Sequence, residues 1–149
     1  MGESQGAVSL SPQAEAWNRF IDHCFEDPIQ SEFLHAAVVG RFYCETGSGG
    51  LHGFLSVFPE LGTTQSIAAL HSLGARRAAD QLQLVVDGLG CSLPAASRAD
   101  RDALLEARWP EDWGSEMETI SEDAEVEMHD ALERHIAAHI EHYLSLPPT

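Results

Sequence analysis

From Ser11 to Leu144 the apolar residues recur every three or four positions, in runs cut short by proline or glycine. That period confines the chain to packed amphipathic helices. Ser11-Pro12 supplies a capping hydroxyl and then a proline whose missing N–H costs nothing in a first helical turn. Ala14, Trp17, Phe20, Ile21, Cys24 and Phe25 follow on one stripe, and Asp27-Pro28 is expected to end the helix. A second helix is expected from Gln30 to Cys44, on Phe33, Leu34, Ala37, Val38 and Phe42. Gly47-Ser48-Gly49-Gly50 then breaks the chain, and Leu51, Phe54, Leu55 and Phe58 resume the spacing in a short helix closed by Pro59. Thr63 or Thr64 is expected to cap the next helix, which carries Ile67, Ala68, Leu70 and Leu73 and stops at Gly74. Ala75, Ala78, Ala79, Leu82, Val85, Val86 and Leu89 mark another, ended by Gly88, Gly90 and Pro94. Ser97 opens a brief helix through Leu104, Leu105 and Ala107, and Trp109–Gly114 reads as a loop. A long final helix, Ala124 to Leu144, turns Met128, Leu132, Ile136, Ile140 and Tyr143 inward, and Pro147-Pro148 stops it.

No run alternates for long enough to make a strand. The expectation is therefore an all-α, single compact domain of about six or seven helices over residues 11–146, behind a flexible tail at 1–10. A chain of 149 residues, 44% of them apolar, can bury a sizeable core.

Charge narrows the function. The chain has 24 acids and 8 bases, every base an arginine, for a net charge of −16. Such a surface repels phosphate and anionic lipid, which argues against direct nucleic-acid binding and against membrane association. It favours a cationic partner: a basic protein surface, a metal ion or a polyamine. No apolar run approaches the roughly 20 residues that span a bilayer, and Met1–Leu10 lacks the pattern of a secretory leader. Cys24, Cys44 and Cys91 are distant and form no CxxC, so neither a disulfide framework nor a zinc knuckle is indicated, and a reducing cytoplasm is expected.

Nine acids fall between Glu111 and Asp130 with no base among them. On a helical wheel Asp123, Glu127, Asp130 and Glu141 lie opposite the Met128/Leu132/Ile136 face, and Glu116 extends the series, making a candidate partner-binding face. If helical throughout, Glu116–Glu133 would span ~27 Å. That gives about one negative charge per 3.4 Å, near the phosphate spacing of one DNA strand. Glu122 and Glu125 fall on the apolar side of the same wheel. A solvated helix face with acids at its N-terminus accounts for the pattern equally well.

His135, His139 and His142 stand at i, i+4 and i+7, the spacing at which histidines can share a transition metal. Without the glutamate of HExxH the pattern is unspecific, so no metal and no other cofactor is expected; these three are the candidates. Histidines so placed also make binding sensitive to pH. Catalysis lacks its parts: there is no GxSxG, no phosphate loop in a chain without lysine, and no linked nucleophile, base and orienter. Glu45 and His52 flank the glycine turn, but two titratable groups do not make an active site, and no enzyme is expected.

Phe42–Leu55, FYCETGSGGLHGFL, resembles the E-V-N-N-G-G-F-x-Q-[F/Y]-F signature of the domain-of-unknown-function family DUF4375, with matches at Glu45, Gly49, Gly50 and Phe54. Ile67–Ala75 is similar to that family's A-x-x-A-L-x-x-[IL]-G-A block. The chain departs from the signature at Gly47, Ser48, Leu51 and Gly53. The resemblance implies an all-helical fold in which the motif is structural. The family includes a DNA mimic, an acidic dimer whose carboxylates stand in for phosphates on a transcription factor. The resemblance therefore implies a non-enzymatic acidic protein-binding domain, with DNA mimicry as its sharper form and a homodimer left open. The alternatives are an immunity or antitoxin-like protein that neutralises a cationic toxin, and a metal-binding helical domain.

Overall fold

The computed structural model describes residues 10–26, 33–57, 62–91, 93 and 97–147. Within them the chain is all-α and forms one compact domain, with no strand. Helix α1 is Pro12–Cys24, and the Ser11 hydroxyl accepts the Ala14 N–H at 3.1 Å, as the sequence predicts. Helix α2, Leu34–Val57, is helical except at Gly50, whose φ of 67° and ψ of −168° kink it. The break expected over four residues is thus confined to one. Gly47 and Gly49 remain helical with open space beside them, whereas a Cβ at Gly50 would meet the Glu118 carbonyl oxygen at 2.5 Å.

Helix α3 is Thr63–Leu73 and α4 is Arg76–Leu89, stopped by Gly74 (φ 93°) and Gly90 (φ 77°) in the left-handed region. The threonine cap expected for α3 is absent. Gly62 occupies the cap position, and Thr63 is buried with its hydroxyl accepting the Leu93 N–H at 3.1 Å. Gly88 does not end α4 but lies within it, where a side chain would collide with the Trp113 ring. Ser97 caps α5, Arg98–Arg108, and Trp109–Gly114 is irregular as expected.

A short helix α6, Ser115–Glu118, follows, then α7, Glu122–Ala138, capped by the Ser121 hydroxyl. The final helix, expected unbroken from Ala124 to Leu144, divides at His139 (φ −128°, ψ 33°), and α8 is Ile140–Ser145. Residues 1–9 of the tail expected at 1–10, and the boundaries at Asp27-Pro28, Gln30, Phe58-Pro59, Pro94 and Pro148, lie outside the described residues.

Helix α2 is central and packs against α1, α3, α5 and α7. Phe20, Phe42, Leu51, Phe54, Leu55, Leu70, Leu82, Met128 and Leu132 fill the core around it. Cys24 is buried there, and all three cysteines are free thiols. Among the described residues no helix is long and apolar enough to cross a membrane.

Candidate protein-binding surface

The last carbonyls of any helix lack intrahelical partners, and this chain satisfies several of them with arginine. Arg19 donates to Leu144 O at 3.1 Å and to Leu146 O, at the end of α8. Arg101, buried, donates to Ser56 O at 3.0 Å and Val57 O at 3.2 Å, at the end of α2. Arg108 donates to Leu89 O at 3.3 Å, at the end of α4. Cations spent on backbone carbonyls leave the acidic surface poorly neutralised.

Glu111, Asp112, Glu116, Glu118, Glu122, Asp123 and Glu125 are all exposed. Among the described residues the arginine ion pairs fall on other carboxylates, Glu15, Glu45, Asp102 and Glu127, and histidine rings lie beside Glu26, Asp130 and Glu133. The backbone that carries this acidic band is pinned. The Gln81 amide of α4 donates to Thr119 O at 2.7 Å and its oxygen accepts the Ser121 N–H at 3.1 Å. Ile120 is buried between them, and Trp113 packs on Gly88 and edge-on to Trp109 at 4.9 Å.

The residues expected to form a helical acidic face do not lie on one uniformly acidic stripe. Glu127 is not free: one carboxylate oxygen accepts the Arg77 N–H at 2.8 Å in the first turn of α4, and the other meets the Arg77 guanidinium at 3.2 Å. Asp123, Glu127 and Asp130 line a cleft of about 450 Å³ together with Arg77 and Arg134, so the stripe carries mixed charge. Glu141 sits beyond the break at His139, on α8. Of the expected face, Glu116 in α6 and Asp123 in the first turn of α7 are exposed and have no ion pair among the described residues. Glu122 and Glu125, expected toward the apolar side, are exposed because Ala124 and Met128 take the buried positions.

The motif residues all lie on α2, around its kink. Glu45 approaches Arg41 at 3.9 Å, and the buried Phe54 meets Phe42 edge-on at 4.6 Å. Gly50 admits Glu118 to the kink, while Gly49 faces open space. His52 packs edge-on to Trp109 at 4.9 Å. Burial pushes the Cys24 and Cys44 thiols up, away from the thiolate that a nucleophile requires.

His135, His139 and His142 do not converge as metal ligands. They surround the Phe33 ring, with centroids 5.1, 4.3 and 5.0 Å from it. Among the described residues only His129, Asp130 and Glu133 bring donor atoms within 4.8 Å of one another, and the i,i+4 contact of Glu133 with His129 at 3.3 Å accounts for that approach. Burial, and then His139 and His142, push the His135 pKa down to about 4, and its Nε2 lies 2.6 Å from the Tyr143 hydroxyl. The spacing of the histidines was legible in the sequence; Phe33, about a hundred positions away by chain, carried no local signal.

Among the described residues, fold and surface together define an all-α domain with a band of carboxylates that have no ion pair. No family model, no curated protein and no solved structure matches the chain.

Proposed function

We propose that this is a non-enzymatic binding domain whose acidic band, Glu111–Glu125, docks a basic protein surface, with DNA mimicry in the manner of the DUF4375 family as the sharper form. One observation carries the reading: seven exposed carboxylates in fifteen residues have no ion-pair partner among the described residues, on backbone held at Gln81 and Gly50. Attraction from such a band speeds encounter and weakens as salt rises, because exposed charges are screened beyond roughly 8 Å at physiological ionic strength. Fixed carboxylates also lose less entropy on docking than ones on a loose loop.

The test is a pull-down from native lysate at about 0.1 M and about 0.5 M salt. It compares wild type with the variant Glu111→Gln, Asp112→Asn, Glu116→Gln, Glu118→Gln. These four acids precede α7, so its first turn keeps the carboxylates that its dipole favours. The expected result is a basic protein retained by wild type at low salt, released at high salt and not retained by the variant. Failure to retain any basic protein at low salt, or equal retention by the variant, overturns the reading.

A further inference from the structure

The acidic band opens between two tryptophans. Trp109 ends α5, its N–H donating to Leu105 O at 2.8 Å, and the Trp113 N–H closes a turn on Pro110 O at 3.2 Å. Glu111 and Asp112 therefore occupy the exposed corners of that turn. The two indoles meet at its base, edge-on at 4.9 Å. Helices on either side brace them: Trp113 lies against Gly88 of α4, and Trp109 meets His52 of α2 at 4.9 Å. Glu116 reaches back to the same place, with a carboxylate oxygen 2.6 Å from where a side chain on Gly114 would begin.

Both indoles are partly exposed. Neither indole N–H donates a hydrogen bond among the described residues, whereas a tryptophan taken into a core finds an acceptor. No cation among the described residues covers either ring. The adjacent Arg108 donates to Leu89 O instead, and the cation–π contact formed is that of Arg41 with Phe25.

We propose that the Trp109–Trp113 pair anchors the acidic band by taking an arginine side chain of a basic protein segment, with Glu111, Asp112 and Glu116 beside its guanidinium. The proposal rests on the band being a docking surface and names the side chain that docks. A guanidinium is planar and weakly hydrated. It can lie on an indole face while its N–H groups reach carboxylates at the rim. An ammonium is compact and strongly hydrated, and gains less from the same rings. Tryptophans at the base of a charged rim are the type of residue on which binding energy concentrates. The indole N–H groups add donors for backbone carbonyls of the same segment. From Glu118 to Glu125 the band has no aromatic residue, so that part attracts by charge alone.

The probes are octa-arginine and octa-lysine, titrated into the isotope-labelled full chain at about 0.1 M salt and followed by nuclear magnetic resonance. Three tryptophans give three indole N–H signals. Octa-arginine is expected to move those of Trp109 and Trp113 and to leave that of Trp17, which packs against Phe20 and Tyr43, in place. It should also bind about threefold tighter than octa-lysine. In the variant Trp109→Leu both peptides should still bind through the carboxylates, with the preference for arginine lost. Equal affinities in wild type, an undiminished preference in the variant, or unmoved Trp109 and Trp113 signals would overturn the proposal and leave the acidic band standing. Binding of neither peptide would overturn both. Should the variant not fold, the wild-type affinities and indole signals decide.

Discussion

The same substitution at two glycines of one helix should change stability in opposite directions. Gly40 and Gly47 both lie in α2, and each is helical. Replacing a helical glycine with alanine removes unfolded-state freedom and gains roughly 0.5–1 kcal/mol when nothing else changes. At Gly47 nothing lies within 4 Å of the added methyl, so that gain should appear in full. At Gly40 the methyl would meet Cys24 Sγ at 2.6 Å and two Phe20 ring atoms at 2.7 and 2.8 Å. Phe20 and Cys24 are almost wholly buried and have no room to withdraw, so α1 must shift away from α2. Overpacking of that kind costs typically about 1–3 kcal/mol, which leaves Gly40→Ala destabilised by ~1–2 kcal/mol after the propensity gain. At roughly 2–4 °C per kcal/mol for a chain of this size, Tm should fall by about 2–8 °C in Gly40→Ala and rise by about 1–4 °C in Gly47→Ala. Urea unfolding followed by circular dichroism measures both. A Gly40→Ala protein as stable as wild type would refute the close α1–α2 crossing on which the core is built.

Two further changes test the electrostatics. His135 titrates lower in the folded chain, about 4 against the ordinary 6.5, so the fold favours the neutral ring. Its contribution is present above pH 6.5 and is lost as pH falls toward 4; the ceiling is ~3 kcal/mol, reduced to about 1–2 by solvent screening of a half-exposed ring. The His135→Phe variant should lose that part of the pH slope in urea titrations at pH 7 and pH 5, and identical slopes would contradict the assigned environment. Glu127→Gln should cost ~0.5–1.5 kcal/mol, because the weakened acceptor serves the first turn of α4 through the Arg77 N–H. An unchanged urea midpoint would mean that this carboxylate is free after all.

Local signals were read correctly where the physics is local. Ser11 and Ser97 cap because each hydroxyl reaches a backbone N–H three residues away, at 3.1 and 3.2 Å. Gly74 and Gly90 stop their helices because the left-handed turn costs glycine nothing. Ser121, whose hydroxyl accepts the Ala124 N–H at 3.2 Å, was the available sign that α7 begins earlier than its apolar stripe. The acidic band was partly legible: its composition is plain in the sequence, but the fate of each carboxylate depends on partners from other helices. Glu127 was misplaced because Arg77 is 50 residues away along the chain.

By itself, then, the sequence determined the helical class, most helix ends and the sign of the surface, all of which follow from spacing, caps and composition within a few residues. Only the tertiary structure decided that Gly50 alone kinks α2, that His139 divides the last helix, that the histidines gather on Phe33, and that Arg19, Arg101 and Arg108 serve helix ends. Those outcomes rest on contacts between distant segments, such as Arg19 with Leu144 across 125 positions. Such pairings exist only once helices dock, and no short window of residues encodes them.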